Sequence, residues 1–134
     1  LKKADGTGCG SAALGAAGAS NVVAVCALAP WLDGSDPVVQ LDGRTVLIAH
    51  GDRERWTDPG ESYRFAVRAK ERGVAVCRFD VPGAGHFMLT RVGVWNALTR
   101  RFVLGVLGIE PVDPVIANAL HQPTPSGLRA VLHG

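Results

Sequence analysis

The sequence is short of aromatics, of cysteine, of net charge and of long apolar runs, and each shortage excludes something. Aromatic residues are 6% of the chain, so a core has to be assembled from Ala, Val and Leu, small and branched side chains that pack in layers. The three cysteines, Cys9, Cys26 and Cys77, are an odd number with no short spacing between any two. A zinc cage and a disulfide framework are both excluded on that count. Cys26 and Cys77 stand inside Val/Ala/Leu runs, where a small buried hydrophobe in a reducing compartment is the expectation, and with it a cytoplasmic location. Fourteen Lys and Arg oppose twelve Asp and Glu, a net charge of +2, and the basic residues are scattered in ones and twos. Without a basic stripe or arm, a nucleic-acid partner is not expected. The apolar run from Val22 to Leu32 is about half the ~18–20 residues of a membrane span, so no membrane is expected either. The chain starts at Leu1 with no initiator Met and no signal-peptide pattern, as a cleavage product or a part of a longer chain would.

What is present suits one globular domain. At 134 residues and 47% apolar, the chain is long and apolar enough to bury a core, which rules out disorder. Seventeen Gly and eight Pro are spread without a period, as many short connections require. From Asp5 to Gly18 a Gly-rich and then Ala-rich segment reads as a tight turn opening into a short helix. Val22–Ala29, Thr45–Ala49 and Val74–Phe79 are apolar runs without alternation, the pattern of parallel strands covered on both faces. Between the second and third runs, Asp58 and Pro59 suit an N-cap and first helical residue, and Tyr63, Ala66, Val67 and Lys70 then share one face before Gly73. Val92, Trp95, Leu98, Phe102, Val103 and Val106 recur at helical steps from about Arg91 to Leu107. Residues 1–109 form the body. Residues 110–134, with Pro111, Pro114, Pro123 and Pro125, form a Pro-rich tail that allows a short helix near Val115–Leu120, packed on the body or loosely ordered. The order of elements predicts an α/β fold, a parallel sheet with flanking helices and right-handed crossovers.

In open parallel sheets, ligands bind beyond the carboxyl ends of the strands. The segments there are Pro30-Trp31-Leu32-Asp33, His50-Gly51-Asp52-Arg53-Glu54-Arg55 and Pro82-Gly83-Ala84-Gly85-His86-Phe87. An acid follows one strand and a histidine follows the next. His50, directly at a strand end, reads as structural. Trp31 and Trp56 read equally as cleft walls or as packing, and Arg53, Glu54 and Arg55 would by themselves pass for a solvated loop. Gly83 and Gly85 lack the Lys and Ser/Thr of a phosphate loop, and neither a cofactor nor a metal is expected.

Residues from about Gly6 to Gly108 resemble the C-terminal half of an α/β-hydrolase of the dienelactone-hydrolase or serine-esterase kind. The segment HGDRERWTDP is similar to that family's strand, Gly and acid segment, whose acid is the third residue after the Gly. Glu54 holds that position, where the family usually has Asp, and Asp52 is the nearby alternative. PGAGHFML resembles the family's turn with the catalytic histidine, here His86, which stands 32 residues after Glu54. The family elbow reads Gly-x-Ser-x-Gly, against Asp5-Gly6-Thr7-Gly8-Cys9-Gly10-Ser11-Ala12 here. One register puts Gly8 at the nucleophile position and leaves none; a shift by one puts Cys9 there, similar to the thiol elbow of dienelactone hydrolases. Ser11 is a third candidate that reads better as a helix cap. A thiol at a helix N-terminus has a lowered pKa.

The resemblance therefore implies a hydrolase acting on ester, lactone or similar acyl bonds through an acyl-enzyme. His86 is the general base, Glu54 orients it, Cys9 attacks a small-molecule acyl substrate, and no cofactor takes part. It also implies a partial α/β-hydrolase fold, completed by a missing N-terminal half or a homo-oligomer. The alternative is a non-catalytic fragment, without a nucleophile, that serves binding or assembly.

Overall fold

A computed structural model describes residues 16–132. Three strands, β1 (Ala24–Leu28), β2 (Thr45–Gly51) and β3 (Ala75–Val81), form a parallel sheet in the order β1-β2-β3. The register sets Cys26 beside Leu47 and Leu47 beside Cys77. Helix α1 (Pro59–Glu71) links β2 to β3, and α2 (Val92–Val106) and α3 (Pro114–His121) follow. The expected α/β arrangement, a parallel sheet with flanking helices, is present.

The pleat of β2 explains the two cores. Val46 and Ile48 face α1 and meet Phe65, Ala66 and Ala69, while Leu47 and Ala49 face the other way, toward Trp95, Leu98 and Phe102 of α2 and Ile116 of α3. All four β2 residues are fully buried, and each branched side chain so placed stabilises the fold by about 1.5–3 kcal/mol. A strand with both faces covered has no polar side to alternate with.

Helix α1 starts where its caps predict: the Asp58 carboxylate accepts the Gly60 N–H at 2.7 Å and Pro59 stands at the first turn. Its end lies before Gly73, whose φ of +90° is open to glycine at no steric cost. The expected face of Tyr63, Ala66, Val67 and Lys70 is corrected by about one residue. The buried positions are Ser62, Phe65, Ala66 and Ala69, because Phe65 carries more apolar area than Tyr63 or Val67 and takes the center of the contact. In α2 the buried set is Val94, Trp95, Leu98, Phe102 and Gly105, with Val92 and Val103 turned outward.

Strand β1 also departs from expectation. It was expected to be covered on both faces, yet every one of its residues is only half-buried. The reason is its place at the border of the sheet: among the described residues nothing pairs with its outer edge. The outer edge of β3 is shielded instead by the C-terminal segment. Ala130 bridges to Phe79 in parallel, its N–H donating to Arg78 O at 3.1 Å and its carbonyl accepting the Asp80 N–H at 2.8 Å. Leu128 and Leu132 are buried, so of the two expectations for this segment it is packing on the body that holds. No helix among the described residues is long and apolar enough to cross a membrane.

Candidate active site

The loops that leave β2 and β3 are fastened to each other before either presents a side chain. An alanine methyl at Gly51 would lie 2.0 Å from the Ala84 carbonyl oxygen, so only glycine lets the two backbones approach this closely. Asp52 N–H donates to Val81 O at 3.1 Å and Arg53 N–H to Ala84 O at 2.9 Å. In return the Asp52 carboxylate accepts the Gly83 N–H at 2.7 Å, at a turn where Gly83 has φ +74°. Asp52 is thereby committed to the loop and does not reach the histidine. Farther along, the Trp95 indole N–H donates to Thr90 O at 3.0 Å, tying the His86 loop to α2.

This fastening brings Glu54 and His86 together. His86 Nδ1 lies 3.0 Å from Glu54 Oε2, with the Glu54 side chain wholly out of solvent and that of His86 30% exposed. The other oxygen, Oε1, accepts the backbone N–H groups of Trp56 at 2.7 Å and Thr57 at 3.0 Å. Burial pushes the carboxyl's pKa up, but the Thr57 and Trp56 N–H bonds together with His86 outweigh it and hold Glu54 below the usual carboxylate range. An ionised, fully bonded carboxylate of this kind fixes an imidazole with Nδ1 protonated. Among the described residues nothing bonds to Nε2, the nitrogen left to handle a proton.

A cleft of about 260 Å³ opens at His86, lined by Arg53, Arg55, Trp56, Gly85, Phe87 and Thr90. Trp56 is therefore a wall, and Trp31 is not among the residues that line it. A larger cleft of about 430 Å³ beside the start of α1 contains Tyr63, Arg64, Arg78, Asp80 and Arg129. Its cations are mostly engaged, Arg78 by Asp80, Arg64 by Glu61, and Arg129 over the Tyr63 ring at 4.7 Å.

His50 has the structural place expected of it. Its ring is fully buried, with Nε2 3.1 Å from Thr57 Oγ1 and Nδ1 3.0 Å from Ser62 Oγ. Burial and then the neighboring Arg78 charge lower its pKa to about 4, so it is neutral at physiological pH. Arg78, Ser62 and Thr57 complete the network and were not foreseen. Arg78 sits mid-strand yet is 3% exposed, donating to Ser62 Oγ, Asp80 Oδ1, Pro59 O and Leu128 O. The one signal for it was an Arg inside the apolar run VAVCRF.

Cys9, Gly8 and Ser11 lie outside the described residues. The two described thiols, Cys26 and Cys77, are free but belong to the sheet. Burial pushes Cys77 up to about 12 and raises Cys26 as well, so both are inert thiols away from the cleft. Among the described residues, no group of His, Cys, Asp and Glu could hold a metal ion.

Comparison of the chain with protein-family models, with curated proteins and with solved structures finds no match in any of the three.

Proposed function

We propose that the chain is the C-terminal half of an α/β-hydrolase that cleaves ester, lactone or similar acyl bonds of small molecules through an acyl-enzyme. The observation that carries this reading is the bond between His86 Nδ1 and a sealed, ionised Glu54, with Nε2 at a cleft and unbonded among the described residues. In it, Nε2 takes the proton of the Cys9 thiol as sulfur attacks the acyl carbon, and returns it to the departing alcohol. Water then attacks the thioester with His86 again the base, while Glu54 stays ionised and stabilises the imidazolium. The outer edge of β1, unpaired among the described residues, is where a missing N-terminal half or a second copy would add its strand. The free thiols Cys26 and Cys77 suit the reducing cytoplasm.

One observation favors a second reading. The lining of the cleft contains no serine and no cysteine among the described residues, as a non-catalytic binding or assembly fragment would have it. Hydrolysis of p-nitrophenyl acetate separates the two. The hydrolase reading expects turnover that His86→Ala and Cys9→Ala each reduce to background, with iodoacetamide tagging Cys9 in the mass spectrum. Turnover no greater than that of His86→Ala, with Cys9 untagged, leaves the binding fragment.

A further inference from the structure

Trp56 touches both members of the pair. Its backbone N–H donates to Glu54 Oε1 at 2.7 Å, and its indole lies nearly parallel to the His86 imidazole, centroids 6.0 Å apart and planes inclined by 19°. Phe87 closes the flank edge-on, 5.6 Å from Trp56 and 5.7 Å from His86. Trp56 is 63% exposed and belongs to neither core, so core packing does not explain so large an apolar side chain at this position. The aromatic contacts it makes are to the histidine and to the residue that follows it.

We infer that Trp56 is a positioning residue for His86: its indole face holds the imidazole in the plane that directs Nδ1 at Glu54, and stabilises the ring when it carries a proton. A hydrogen bond through one nitrogen fixes a point on an imidazole but leaves the ring free to swing about it. A second contact on the ring face removes that freedom, and offset stacking at this separation is a favorable aromatic geometry. The same face is the negative side of the indole quadrupole, which attracts a cation. The charged groups around His86 are Glu54 behind it and Arg53 and Arg55 along the cleft. The kinetic consequence of this role rests on the reading of His86 as a base; the geometric one does not.

The test uses the full chain and the variants Trp56→Phe, Trp56→Leu and His86→Ala, each checked for folding by circular dichroism. Proton NMR should show one downfield Nδ1–H resonance in wild type and Trp56→Phe, broadened or lost in Trp56→Leu and absent in His86→Ala. With p-nitrophenyl acetate, Trp56→Leu should lower kcat about tenfold with KM little changed, and Trp56→Phe should recover most of the loss. An unaltered resonance in Trp56→Leu overturns the inference. Absence of turnover in wild type, with the resonances as expected, overturns the acyl-transfer reading and leaves the positioning role in place.

Discussion

His50 stands at the end of β2 and His86 in the loop after the neighboring β3, and their surroundings give them opposite chemistry. His50 is fully buried, bonded at both nitrogens to hydroxyl groups and set beside a cation, so it stays neutral. His86 is partly open, has a carboxylate on one nitrogen and nothing described on the other. The difference lies in the partners, since the side chain is the same. An imidazole whose nitrogens are both engaged is a cross-link, whereas one engaged and one free is a base in waiting.

The comparison breaks most sharply at the rate. His86→Ala should cost about 10²–10⁴ in kcat for p-nitrophenyl acetate while the urea midpoint stays close to wild type, because the ring belongs to neither core. The His50 network should behave in reverse. Arg78→Met removes the cation that serves the part-exposed Asp80, the buried Ser62 and two carbonyls, and urea unfolding should show a loss of about 3 kcal/mol, since several acceptors lose a charged donor at once. If instead Arg78→Met unfolds at the wild-type midpoint, the network is not structural.

A third effect sharpens the contrast through pH. His50 has a pKa of about 4 in the folded protein against about 6.5 in the unfolded chain, so between these values the unfolded state binds more protons. The folded state should therefore lose stability as pH falls from 6.5 to 4, by roughly 3 kcal/mol when the window is crossed. His50→Gln cannot take up that proton, and its urea midpoint should vary less with pH in the same window. The smallest effect belongs to Asp52→Asn. The amide oxygen still accepts the Gly83 N–H, but the charge is lost, and unfolding should change by about 0.5–1.5 kcal/mol. Asp52 bonds the turn and not His86, so turnover should fall far less than in Glu54→Gln.

Much of this contrast could be read before the fold was known. The three strands were legible because parallel strands read as unbroken apolar runs, and β2 and β3 extend only two residues beyond those runs. The juxtaposition of Glu54 with His86 followed from a spacing that carries a family resemblance. The buried face of α1 was read one residue out because Phe65 takes the center of the contact, and the small side chains of Ser62 and Ala69 beside it let the helix lie close on the sheet. Arg78 was marked only by its place inside the apolar run VAVCRF: its burial depends on Leu128 and Pro59, partners 50 and 19 residues distant, and local pattern does not reach them. The same holds for Asp52, whose carboxylate finds Gly83 31 residues away.

The edge of β1, bare among the described residues, has a practical consequence. Residues 22–28, Val-Val-Ala-Val-Cys-Ala-Leu, contain no charge, proline or glycine, and Val23 is 60% exposed. Such a segment beside unpaired backbone groups is the composition that stacks into cross-β fibrils. Aggregation on storage should therefore begin at β1 and not at the cores, and a lysine at Val23, pointing a charge along that edge, should slow fibril growth measured by thioflavin fluorescence.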